Sequence, residues 1–148
     1  MKPFSFNLET LLRHRKHLEE KERNELSRLL SAYKSELSQR ETLQRKYLET
    51  LLELARKRQG SLDHEEISWF YLYLDRLRLE LEQSTQRILR MEKQIQVQQT
   101  TFYEASKKRK VIDALKARRY RHHVVAAERE EQRGVDELVM MRFARQRA

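Results

Sequence analysis

His14 and His17 stand one helical turn apart and His122 and His123 are adjacent, so a zinc site is the first chemistry these residue types suggest. Such a site needs convergent ligands, and the chain has no cysteine to supply thiolates. The helix pairing argued below sets His14 near Lys108 and His17 near Ala105, away from the second histidine pair, with no carboxylate to complete a ligand set. These are solvated histidines, and no metal or cofactor is expected. The run "KKRKVIDALKARRYRHH", residues 107–123, suggests phosphate binding, because clustered cations release counterions from nucleic acid or anionic lipid. The same run also suits a solvated helix face, with Val111, Ile112 and Leu115 still looking like seam residues. No phosphate-cradling glycine loop, His-Glu-x-x-His, Gly-x-Ser-x-Gly or Cys-His arrangement occurs. No catalytic residue is assigned and no enzyme activity is expected, since catalysis needs groups converging in a cleft.

The elements that carry these residues are helices. The chain of 148 residues has two glycines and one proline, is 37% charged, and is rich in residues that lose little freedom in a helix. The longest uncharged apolar run, Trp69 to Leu74, is far short of the roughly 20 residues that span a bilayer. A soluble, unsecreted chain is the reading. Residues 107–148 carry 13 Lys and Arg against 6 Asp and Glu, so this end should seek an acidic partner.

Gly60 punctuates the chain. Basic residues precede it, it suits the left-handed position that ends a helix, and Asp63 with Glu66 forms a capping box that starts the next. Before it, Leu26, Leu30, Tyr33, Leu37, Arg40, Gln44, Tyr47, Leu51 and Leu54 advance in steps of three and four, a coiled-coil seam. After it, the frame Ile67, Phe70, Leu74, Leu77, Leu81, Ser84, Ile88, Met91, Ile95, Gln98, Phe102, Ala105, Arg109, Ile112 keeps the same repeat. Beyond Ile112 the seam fails or shifts to Tyr120, Val124 and Ala127.

A short connection between long helices predicts an all-α fold: an antiparallel coiled-coil hairpin in a single domain over 1–148. Helix 1 is expected over about 5–58, the connection over about 59–63 and helix 2 over about 64–143. The pairing sets Leu54 between Ile67 and Phe70, Leu37 between Ser84 and Ile88, Leu26 beside Ile95, and Leu8 near Ile112. The C-terminal helix is longer and overhangs by about 25 residues in the most basic part of the chain. A parallel homodimer is the competing architecture, opposed by the capping signals around Gly60.

Two groups of apolar residues exceed what the seam needs. Val135, Leu138, Val139, Met140, Met141 and Phe143 lie on the overhang, either as a frayed tail or as a docking surface. In "ISWFYLYLDRL", residues 67–77, the seam takes Ile67, Phe70, Leu74 and Leu77 and leaves Trp69, Tyr71, Leu72 and Tyr73. Trp69, Leu72, Tyr73 and Arg76 form a second face, which either caps the hairpin against Leu62 or offers an aromatic interface.

The start "FSFNLETLLRHRKHLEEKE", residues 4–22, and the ending "EREEQRGVDELVMMRFARQ" resemble the FliJ-type proteins of the bacterial flagellar type III export apparatus. Gly134, which interrupts the terminal helix, and the heavier aromatic patch depart from that pattern. The resemblance implies a non-enzymatic stalk. Its end bearing both termini would insert into the hexameric flagellar export ATPase, and its opposite end would reach the membrane export gate protein. Export chaperones are further partners on this reading. Carried over by position, Phe4, Phe6, Leu8, Leu11, Tyr120, Val124, Leu138, Met141 and Arg142 would bind the ATPase. Trp69, Phe70, Tyr73 and Leu77 would bind the gate. The location implied is cytoplasmic, peripherally associated with the membrane at the flagellar base. The rival reading is a basic coiled-coil scaffold for nucleic acid or anionic lipid.

Overall fold

The computed structural model describes residues 2–60 and 63–147. Two helices, α1 (Glu9–Lys57) and α2 (His64–Arg147), pack as an antiparallel hairpin, with α2 the longer at 84 residues against 49. Among the described residues there is no strand. Both helices place acid in the first turn and base in the last, Glu9 with Arg56 and Lys57 in α1, Glu65 and Glu66 with Arg145 and Arg147 in α2. That arrangement complements the helix dipole.

The helix ends differ from expectation in three places. α1 starts at Glu9 rather than near residue 5: the carbonyl of Leu8 accepts the N–H of Leu12 at 2.9 Å, and residues 2–6 are not helical. Gly60 does not adopt the left-handed conformation. Bonds from Gln59 N to Arg56 O (3.3 Å) and from Gly60 N to Lys57 O (3.1 Å) tighten the last turn instead. Such i to i−3 bonds satisfy the final carbonyls without a left-handed residue. Gly134 does not break α2, which passes through it to Arg147. A β-carbon at Gly134 would meet nothing within 4 Å, so the residue costs only about 1 kcal/mol of helix propensity. At the start of α2 the carbonyl of Asp63 accepts the N–H of Ile67 at 3.2 Å; Leu62, the expected cap contact, lies outside the described residues.

The chain forms two compact units, Lys21–Phe102 and Met1–Glu20 with Tyr103–Ala148. In the first, the connection unit, Leu54, Phe70 and Leu74 make a buried cluster against which Tyr47 packs, and Leu77, Ile88 and Ile95 continue the core. All fourteen residues of the expected α2 frame, Ile67 to Ile112, are buried or half-buried, those up to Phe102 in this unit and the last three in the other.

The α1 frame of the connection unit needs correction. Leu30, Leu37, Gln44 and Leu51 are exposed, and the residues one earlier, Leu29, Glu36, Leu43 and Thr50, turn inward in their place. The cause is the polar membership of the α2 seam. Ser84 is fully buried, so its hydroxyl needs a partner inside the interface. It donates to Glu36 Oε1 at 2.9 Å, and the same oxygen accepts Arg87 Nε at 3.0 Å. Gln98 donates to Glu22 Oε2 at 2.6 Å. Glu22, Leu29, Glu36, Leu43 and Thr50 are seven residues apart on one row of α1, and rotating that row inward satisfies both polar seam residues. Leu37 therefore does not sit between Ser84 and Ile88 as the apolar pattern predicts.

The second, terminal unit is sealed by charge as much as by apolar area. Arg109 Nε donates to Glu19 Oε2 at 2.7 Å and Arg109 Nη1 to Asp113 Oδ2 at 2.9 Å. These two carboxylates, Glu19 first, hold the guanidinium above its usual basicity. Lys116 reaches Glu9 at 2.9 Å, and Arg119 donates to Asn7. The expected neighbour of Leu8 was Ile112, so the pairing runs about one turn further along α2 than the apolar pattern predicts. Leu12, wholly buried, and Phe6 form the apolar part of this seam.

Candidate functional site

Two surfaces remain after the seam is accounted for, one in each unit. In the connection unit they come from the aromatic stretch at the start of α2. Phe70 and Leu77 are buried, at 4% and 3% exposure, so two of the four residues carried over to gate binding belong to the core. Trp69 stays 59% exposed and stacks on Tyr73, with ring centres 5.4 Å apart and planes 4° from parallel. It also meets the Phe70 ring edge-on at 5.3 Å, while Lys57 Nζ lies 5.3 Å from the centre of that ring. Leu72 is exposed beside them, and Tyr71 is held by a bond from Arg58. The buried Phe70 ring thus holds in place a Trp–Tyr pair that keeps much of its surface in water. Preordered aromatic side chains with little entropy left to lose suit protein recognition.

In the terminal unit the non-helical N-terminal segment lies against α2. The Phe4 ring meets Tyr120 edge-on at 5.3 Å and His123 at 5.5 Å, and Arg119 lies 5.5 Å from the centre of the Phe6 ring. Sequence reasoning missed this arrangement because it placed Phe6 on a helix, where its side chain would follow a different periodicity. Leu8, Leu11 and Val124 are half-buried, Phe6 is buried, and Tyr120 is half exposed despite the Phe4 contact. These residues, carried over to ATPase binding, therefore spend much of their surface within the unit. Ala127 is buried, and every described residue from 128 to 147 is exposed. The segment contains Leu138, Met141 and Arg142, together with Val135, Val139, Met140 and Phe143.

The expected overhang of about 25 residues is thus nearer twenty, because residues 2–6 extend the pairing beyond the start of α1. Running into the overhang, Arg118, Arg121, His122, Arg129 and Arg133, with Glu130 among them, line one open face of α2. Such a face attracts carboxylates or phosphates. Among the described residues no three His, Cys, Asp or Glu side chains gather as metal ligands, and no helix is long and apolar enough to cross a membrane.

Neither the curated proteins nor the solved structures compared with this chain match it. The sequence profile of the family described as "Flagellar FliJ protein" does, over residues 4–148. That span takes in the N-terminal segment, both helices and the exposed C-terminal stretch, and it establishes that the chain belongs to the flagellar FliJ family, whose members take part in flagellar protein export.

Proposed function

We propose that this chain is the non-enzymatic stalk of the flagellar export apparatus: the terminal unit enters the hexameric export ATPase, and the Trp69 face engages the membrane export gate. The observation that carries the reading is the exposed segment 128–147, where Val135, Leu138, Val139, Met140, Met141 and Phe143 lack an intramolecular cover. An apolar stripe outside any seam is the usual mark of a docking helix. On this reading the protein works in the cytoplasm at the flagellar base, with export chaperones as further partners.

A truncation tests this. Ending the chain at Ala127 removes, among the described residues, only exposed ones. The truncated protein is expected to keep its remaining helix by circular dichroism and to lose stimulation of ATP hydrolysis by the export ATPase. Stimulation at the full-chain level would overturn the assignment of this end. At the other surface, replacing Trp69 and Tyr73 together with alanine is expected to leave helicity intact and weaken binding to the gate protein about tenfold or more. A loss of helicity in that variant would instead identify the pair as a structural cap.

The rival role as a scaffold for nucleic acid or anionic lipid draws on the arginine face from Arg118 to Arg133. DNA affinity that falls steeply with salt, together with no binding to the export ATPase, would select it.

A further inference from the structure

Two adjacent rows of α1 compete for the seam of the connection unit. The inward row is Glu22, Leu29, Glu36, Leu43, Thr50, and the row one residue later is Arg23, Leu30, Leu37, Gln44, Leu51. Between residues 29 and 51 the inward row holds two leucines, a glutamate and a threonine, whereas the outer row holds three leucines and a glutamine. The outer leucines stay exposed, Leu30 at 43%, Leu37 at 40% and Leu51 at 37%. Tyr33, Arg40, Tyr47 and Leu54 sit between the two rows and serve either seam.

Local bonding records the conflict. Glu36 is buried at 8% exposure and Thr50 likewise, the hydroxyl of Thr50 donating back to Lys46 O at 2.7 Å rather than across to α2. Among the described residues Arg40 Nε is buried with no hydrogen-bond partner. The present rotation gains the bonds from Ser84, Arg87 and Gln98 to Glu36 and Glu22. It gives up leucine burial to do so. A buried polar group that selects between helix alignments is a well-attested use of such residues.

We propose that α1 of the connection unit has two seated rotations against α2: the one seen here, held by Glu22 and Glu36, and a rolled one in which Leu30, Leu37 and Leu51 fill the seam. The shared residues act as the hinge line. Exchanging one row for its neighbour is a roll of roughly 50° about the helix axis, with no sliding of either helix along the other. The roll withdraws Glu36 from Ser84 into water and places the outer leucines against the α2 seam. Packed helices shift between discrete arrangements of this kind on microsecond to millisecond timescales.

The test is a distance measurement between two spin labels. Because the chain has no cysteine, labels at Leu48→Cys and Leu79→Cys report unambiguously, and both sites are exposed. A roll moves the label on α1 by roughly 5 Å, given a helix some 10–12 Å across. Two side-chain exchanges bias the equilibrium in opposite directions. Leu30→Gln with Leu37→Gln weakens the outer row and leaves Glu22 and Glu36 in place, and Leu43→Gln with Gln44→Leu strengthens the outer row. The parent protein is expected to show two distances, the first exchange only the one matching this structure, and the second the other, displaced by roughly 5 Å. One unchanged distance in all three proteins would overturn the proposal. So would a second exchange that lost helicity without producing the displaced distance.

Discussion

Replacing Phe70 with alanine is expected to destabilise the connection unit by about 3–5 kcal/mol, the range for truncating a buried aromatic ring in a packed core. The ring is 4% exposed and shares its cluster with Leu54 and Leu74. A two-helix seam has no second layer to collapse into the cavity, so little of the loss is recovered. Replacing the neighbouring Trp69, which is 59% exposed, should change stability by less than about 1 kcal/mol. Urea unfolding of the two variants followed by circular dichroism separates them. Equal losses would show that the aromatic stretch acts as one structural block. The contrast also governs how binding data from this surface are read: a gate-binding defect in a Phe70 variant reports a damaged fold, while one in a Trp69 variant reports a contact.

Arg109→Leu should have the second-largest effect, a loss of about 2–3 kcal/mol, because it takes away a charged hydrogen bond to a buried carboxylate. The side chain of Glu19 is 8% exposed and that of Arg109 is 23% exposed, so water restores little of what is lost. The informative protein is the double variant, Glu19→Leu with Arg109→Leu. Desolvating two charges consumes much of their mutual attraction, and apolar side chains of similar length fill the same seam. The double variant should therefore regain most of the stability lost by Arg109→Leu alone. If the two losses simply add in thermal melts, the pair is not coupled and the seam here depends on something else.

How much of this was legible in the sequence depended on which helix carried the information. The α2 seam could be read position by position, since its frame runs in steps of three and four from Ile67 to Ile112 and the second face beside it, Trp69, Leu72, Tyr73 and Arg76, does not stay apolar over that length. On α1 the same procedure chose Leu30, Leu37 and Leu51, the more apolar row, and missed that Ser84 and Gln98 on the opposite helix need acceptors. Hydrophobic period reports what a helix would bury by preference; it carries no information about unmet hydrogen bonds on its partner.

The division of "ISWFYLYLDRL" into seam and surplus holds for Phe70, Leu74 and Leu77, which are buried, and for Trp69, Tyr71 and Leu72, which are not. The N-terminal segment was less legible. A stretch that packs without being helical has no period to detect, and the Phe4 contacts with Tyr120 and His123 become visible only once the chain has folded back.

The mirror order of the pairing also sets an order of assembly. Arg58 and Tyr71 are 13 residues apart in the chain, Tyr47 and Arg78 are 31, Glu36 and Ser84 are 48, Glu22 and Gln98 are 76, Glu19 and Arg109 are 90, and Asn7 and Arg119 are 112. Closing the widest of these loops from an open chain carries the largest entropy cost, but once a nearer pair has formed the next closes only the 14 to 28 residues added between them. The molecule should fold as a zipper from residue 60 outward. On the ribosome, Phe4 and Phe6 are made before the whole stretch that separates them from residues 119–123, and they wait for it before those residues emerge to receive them.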